Sequence, residues 1–174
     1  DLYLVKPPTA TLKENFSVSL RLDSAAALER RAGLCWCAEI GDSWVWIERG
    51  KPGDSTADGS SSGGGLFAVL KDDVPPSVTG LNLQTGHSYP TRQPEVRFTM
   101  KDDLSGIEDD RSIDVRIDDL WLLPELDMET GRCVATLQEP LEFGRHVLTV
   151  SGSDRAGNKS ERKVEFTTIR PGKK

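Results

Sequence analysis

The sequence predicts an all-β protein made of two tandem antiparallel β-sandwich domains, and three observations carry the prediction. Near the end of the chain a strand, Arg145-His146-Val147-Leu148-Thr149-Val150, runs into Asp154-Arg155-Ala156-Gly157-Asn158 and returns as Lys163-Val164-Glu165-Phe166-Thr167-Thr168. This is a hairpin with a specified turn, because Gly157 and Asn158 tolerate positive φ and Asp154 can accept hydrogen bonds from turn amides. Second, short stretches alternate: Ile113, Val115 and Ile117 face one way while Asp114 and Arg116 face the other. Third, helical periodicity is nearly absent. Only Asp23 to Arg31, with Ala25, Ala26, Ala27 and Leu28, fits a helical turn or two.

The domain boundary is expected at Lys71-Asp72-Asp73-Val74-Pro75-Pro76, since consecutive prolines cannot continue a ladder and stiffen the chain. That gives a small β-rich domain over 1–72 and a larger sandwich over 73–174. In the first, strands are expected at Leu2–Val5, Phe16–Leu22, Gly33–Ile40, Trp44–Glu48 and Leu66–Leu70, with a hairpin around Gly41-Asp42. Residues 52–65, rich in Gly and Ser with only Ala57 to bury, read as a flexible loop. A glycine run that cradles phosphate needs a following helix and lysine, and here a strand follows. In the second domain about seven strands are expected, at 78–83, 95–101, 111–117, 120–125, 132–137, 145–152 and 161–168, with turn signals between them. Val147 and Leu148 interrupt the alternation of the sixth, which suits a central strand or a bulge.

At 174 residues the chain accommodates one large or two small domains. Its net charge of −6 and pI near 5.0 argue against nucleic-acid partners, because an acidic chain gains nothing from counterion release. No apolar run is long enough to span a membrane, so no membrane insertion is expected of this chain. It begins with Asp and ends in Arg-Pro-Gly-Lys-Lys, which reads as a fragment of a longer protein. Three cysteines, an odd number, do not make a disulfide framework. Cys35 and Cys37 flank Trp36 on one strand face and, with Cys133, read as small buried hydrophobes.

Several segments occur in a telling order: Asp-Asp-Leu-Ser-Gly-Ile (102–107), Ile117-Asp118-Asp119-Leu120-Trp121, Glu125 to Gly131, Pro140 to His146 and Asp-Arg-Ala-Gly-Asn (154–158). Together they resemble bacterial Ig-like β-sandwich domains of cell-envelope proteins. The first half, through Trp44-Val45-Trp46 and the run from Gly65 to Pro76, resembles the smaller β-rich domain that precedes them. The resemblance implies an extracytoplasmic location, whether periplasmic, outer-membrane-associated or secreted. It also implies accessory domains of larger proteins, some with lysostaphin-type zinc peptidases. It implies no catalytic residues.

The chain itself is not expected to be an enzyme. His87 sits in a turn and His146 opens a strand, and neither has a ligand partner in sequence as a zinc peptidase site requires. No Gly-x-Ser-x-Gly elbow occurs, and no cysteine has a nearby histidine. The acids do suggest a site. If consecutive strands are antiparallel, one pole of the sandwich collects Asp72, Asp73, Asp102, Asp103, Asp109, Asp110, Asp127, Glu129 and Asp154, of which Asp72, Asp73, Asp102, Asp103, Asp127 and Asp154 are the candidate metal ligands. Oxygen ligands from several loops suit Ca²⁺, and no other cofactor is expected. Turn capping is the competing role for the same residues. Trp44 and Trp46 share a strand face. If exposed, they form a surface for a cell-wall glycan or a protein partner; otherwise they are core. Trp121, beside Leu122, Leu123 and Pro124, is expected to be buried or packed at a rim. The function expected is that of a spacer or presentation module, partnered by other domains of the parent chain or an envelope protein.

Overall fold

A computed structural model describes residues 2–5, 11–22 and 28–171. It is nearly all β, with no α-helix among the described residues. Proximity of Cα atoms divides the chain into two compact units. The first comprises Asp1–Val74 together with Leu104–Gly106 and Arg155–Asn158; the second comprises Pro75–Asp103, Ile107–Asp154 and Lys159–Lys174.

In the first unit, β1 (Leu2–Val5), β3 (Ala32–Cys37), β4 (Val45–Arg49) and β6 (Gly65–Lys71) form an antiparallel sheet in the order β1-β6-β3-β4. A two-stranded ribbon pairs β2 (Thr11–Arg21) with β5 (Thr56–Gly63). Strand alternation splits the apolar side chains of β3 and β6 between two clusters. Leu34 and Phe67, both fully buried, join Val18, Leu20 and Ala57 from the ribbon. Cys35 joins Trp46 and Ala156 in the other cluster, with Leu70 and Leu104 packed against them. Burying side chains such as Leu34 and Phe67 stabilises by roughly 1.5–3 kcal/mol each.

One expectation is corrected here. The segment 52–65 is not a flexible loop: Thr56–Gly63 is a strand whose Ala57 pairs with Leu20 and is buried. Its small residues answer to space as well as to flexibility. A Cβ added at Gly59 would lie 2.8 Å from both Ile47 Cγ2 and Leu34 Cδ2, so only glycine lets the ribbon approach this closely. The expected helical turn over Asp23–Arg31 falls partly on residues 23–27, outside the described residues. Leu28–Arg31 is irregular and ends in a turn.

The second unit is an eight-stranded sheet. Its strands are β7 (Ser77–Thr79), β8 (Ser88–Tyr89), β9 (Val96–Lys101), β10 (Ile113–Ile117), β11 (Leu120–Asp127), β12 (Arg132–Thr136), β13 (Gly144–Ser153) and β14 (Lys159–Thr168). Their order is β7-β9-β12-β11-β10-β13-β14-β8, antiparallel except for β8 against β14. A single 3₁₀ turn, Asp110–Ser112, leads into β10. β11 changes partner along its length: Leu120–Leu122 pair with β10, Leu123–Asp127 with β12. The part holding β7, β9, β12 and the end of β11 curls into a half-barrel. The curl wraps one core, in which Val96, Val115, Ile117, Leu122, Leu148 and Val150 are fully buried. β13 is a central strand with unshifted register to both neighbours, so Val147 and Leu148 mark no bulge. The strand expected at 78–83 stops at Thr79, because Gly80 takes a left-handed φ of 64°.

Candidate functional site

The reactive side chains come first. Asp118 occupies the β10–β11 turn at φ 52°, a left-handed conformation that Asp tolerates better than most residues. From there its Oδ1 accepts the Val147 N–H at 2.9 Å, and its Oδ2 lies 2.7 Å from His146 Nδ1. The other ring nitrogen of His146, Nε2, lies 2.8 Å from the Glu142 carbonyl oxygen and 3.2 Å from Thr168 Oγ1. The ring is buried and packs on Phe166. Both nitrogens are therefore engaged by protein atoms, and the group ties the start of β13 to the β10–β11 turn. Sequence reading left His146 without a partner because Asp118 lies 28 positions away. His87 is exposed in its turn, with Nδ1 3.3 Å from the Thr85 carbonyl oxygen.

The three thiols are buried and unpaired with one another. Burial pushes Cys35 up to about 12 and Cys133 up to about 11. Cys37 is also raised, by burial first and then by Asp42. Protonated thiols in such surroundings are poor nucleophiles.

The six acids of the expected calcium site have different surroundings. In the first unit, Asp72 is only 2% exposed; its Oδ1 accepts the Val74 N–H and its Oδ2 the Ser105 N–H, each at 3.1 Å. Asp73 is exposed and pairs with Lys71 Nζ at 3.0 Å and Arg31 Nη1 at 3.6 Å. In the second unit, carboxylate oxygens of Asp102 and Asp154 lie within 4.8 Å of each other. Asp103 is exposed. Asp127 caps its own turn, accepting the Glu129 N–H at 3.0 Å and the Thr130 hydroxyl at 2.7 Å. Those bonds, the Thr130 hydroxyl foremost, hold its carboxyl below the usual carboxylate range.

The tryptophans decide between two expected alternatives. Trp46 is 3% exposed and forms the centre of a core cluster, with Trp44 half-buried against it. Of the two alternatives, a glycan surface or core, Trp46 therefore takes the core, with Trp44 packed beside it. Its physical cause is a register shift. Leu34 opposes Glu48 and Cys35 opposes Trp46, leaving Ile47 as the extra residue of a β-bulge. The bulge breaks strict alternation, so Trp46 points inward although Glu48, two positions on, is exposed. Conversely Trp121, expected to be buried or at a rim, is 51% exposed. Glu125 and Asp127 share its strand parity and carried that signal.

The Asp-Arg-Ala-Gly-Asn turn does more than join two strands. Arg155 donates from Nη1 to the Trp46 carbonyl oxygen at 2.9 Å and from Nη2 to the Ile47 carbonyl oxygen at 2.7 Å. It thereby satisfies acceptors on β4, the edge strand of the first sheet. Ala156 fills the cluster around Trp46, and Asn158 Nδ2 donates to the Asp72 carbonyl oxygen at 2.9 Å. Turn propensity alone revealed none of these roles.

No protein-family model matches the chain, and no curated protein matches its sequence.

Proposed function

We propose that this chain is a non-catalytic structural or interaction module of a larger bacterial envelope or secreted protein. In this reading the two units are tandem sandwich-type domains, the second Ig-like, positioned outside the cytoplasm. They present a neighbouring domain of the same parent chain, such as a cell-wall peptidase, or dock to an envelope partner. The observation that carries the reading is how the reactive groups are used. His146 spends both ring nitrogens on Asp118, Glu142 and Thr168, and the thiols are buried with their protons held. No helix among the described residues is long and apolar enough to cross a membrane.

Two measurements test it. Deleting residues 1–174 from the parent chain should disturb delivery or placement of the neighbouring domain while leaving that domain's chemistry in solution intact. Incubating the isolated chain with peptidoglycan, peptide and ester substrates should give no turnover. Turnover that disappears in a folded His146→Gln variant would overturn the proposal.

A second reading adds a cation. Calcium, expected from the acids at 72, 73, 102, 103, 127 and 154, is favoured by the close approach of Asp102 and Asp154. Two carboxylates that near repel unless a cation or hydrogen-bond donors intervene. Millimolar Ca²⁺ should then raise the melting temperature by mass action, and an unchanged melting temperature counts against bound calcium.

A further inference from the structure

We propose that the outer face of the second unit's sheet, beside the 3₁₀ turn, binds a neutral oligosaccharide with Trp121 as its stacking platform. Leu122 is fully buried in the core, so Trp121 and Leu123 on either side of it point outward and are 51% and 47% exposed. They wall a depression of about 390 Å³ whose other sides are Asp110, Arg111, Ile113, Asp114 and Pro124. A second, smaller depression of about 200 Å³ shares Arg111, Ile113 and Asp114 with the first. It is walled by Ser151, Ser153, Ser160 and Lys159. The two adjoin across those shared residues, the first more apolar and the second richer in hydroxyls, and the first is within the size range of small-ligand sites.

The lining selects the ligand class. Its charged groups are two carboxylates, Asp110 and Asp114, and two cations, Arg111 and Lys159, so it favours neither a polyanion nor a polycation. The groups are also held in place. Asp109 grips the Arg111 guanidinium, and Arg116 Nε donates to Asp114 Oδ2 at 2.9 Å. Arg116 sits directly opposite Trp121 in the register, so the fixed polar pair stands beside the indole. Ser151, which pairs with Asp114 in the register, brings a hydroxyl to the same outer face. A pyranose chain matches all of this. Each ring has an apolar C–H face to lay on an indole and a rim of hydroxyls that donate and accept, and it carries no net charge.

The test is titration of the intact 174-residue chain with neutral hexasaccharides of glucose and of N-acetylglucosamine, followed by calorimetry and tryptophan fluorescence. Saturable binding with a shift in indole emission is expected for at least one of them. Trp121→Ala should weaken it about tenfold or more, and Trp121→Tyr, which keeps an aromatic face, should weaken it less. Matching melting temperatures of the variants and the parent chain would exclude unfolding as the cause. Absence of binding by the parent chain up to about 10 mM saccharide overturns the proposal, as does binding that Trp121→Ala leaves intact. The outcome is independent of the Ca²⁺ and turnover tests above.

Discussion

Trp46 and Trp121 sit on comparable strands, each with acidic residues further along the same strand parity, yet their environments are opposite. Trp46 is enclosed by Cys35, Ala156 and the half-buried Trp44, Leu70 and Leu104. Trp121 stands on a sheet face with Arg116 across from it and open space beside it. The difference traces to one residue. In β4 the extra Ile47 reverses the parity that Glu48 announces; in β11 the register runs without such a shift, and Glu125 and Asp127 report the outward face correctly. Alternation therefore identifies which residues share a face, but a bulge decides which way that face points.

The largest effect that sharpens this contrast is Trp46→Ala. Removing a buried indole leaves a cavity, and a loss of about 3–5 kcal/mol is expected in chemical denaturation. The buried Trp46 N–H lacks a partner, which already costs some stability, so the loss should fall toward the lower end of that range. A loss below about 1 kcal/mol would mean the cluster around Trp46 is open to solvent.

Next comes Gly59→Val. The added atoms meet Ile47 and Leu34 in a strand that composition had presented as a loop. Overpacking of this kind costs typically 1–3 kcal/mol. A neutral result would restore the loop reading of residues 52–65 and detach the ribbon from the core containing Leu34.

The all-β character and most strands were legible in the sequence, because alternation and turn chemistry are local. Ile113–Ile117 and the β13–β14 hairpin needed only their own residues. What stayed hidden were facts that depend on distant partners. The β5 strand exists because β2 pairs with it, and its glycines carry no apolar signal to announce that pairing. The His146–Asp118 tie and the Arg155 bonds to β4 join residues 28 and more than 100 positions apart. Of the candidate sites, acid counts singled out six residues but could not separate a turn cap such as Asp127 from the close pair Asp102 and Asp154.

Alkaline pH extends the comparison to the thiols of the two units. Cys35, beside Trp46, is pushed higher than Cys133 in the second core. In the unfolded chain both would lose their protons near about 8.5, whereas the folded chain retains them. Folded pKa values lie above unfolded ones, so stability is complete below that pH and declines as pH rises toward about 11 and about 12. Each thiol contributes up to about 1.4 kcal/mol per pH unit to the decline. Denaturation midpoints followed upward from neutral pH should fall, and Cys133→Ala should flatten the slope while lowering the starting value. A slope unchanged by that substitution would place Cys133 in contact with water.

Trp121→Ala should have the smallest effect on stability. Its indole lies half in solvent, and substitutions at such positions usually stay within about 0.5 kcal/mol. Acrylamide quenching should show the same asymmetry, with Trp121 carrying the accessible fraction and Trp46 the shielded one. A residue that contributes little to the fold while presenting a large apolar face to water is costly to leave idle, since such faces invite association. A destabilisation near that of Trp46→Ala would instead make Trp121 a packing residue and remove the basis for a ligand there. A near-neutral change with lost saccharide binding separates the two tryptophans by role: one holds the first unit together, the other faces outward to be covered.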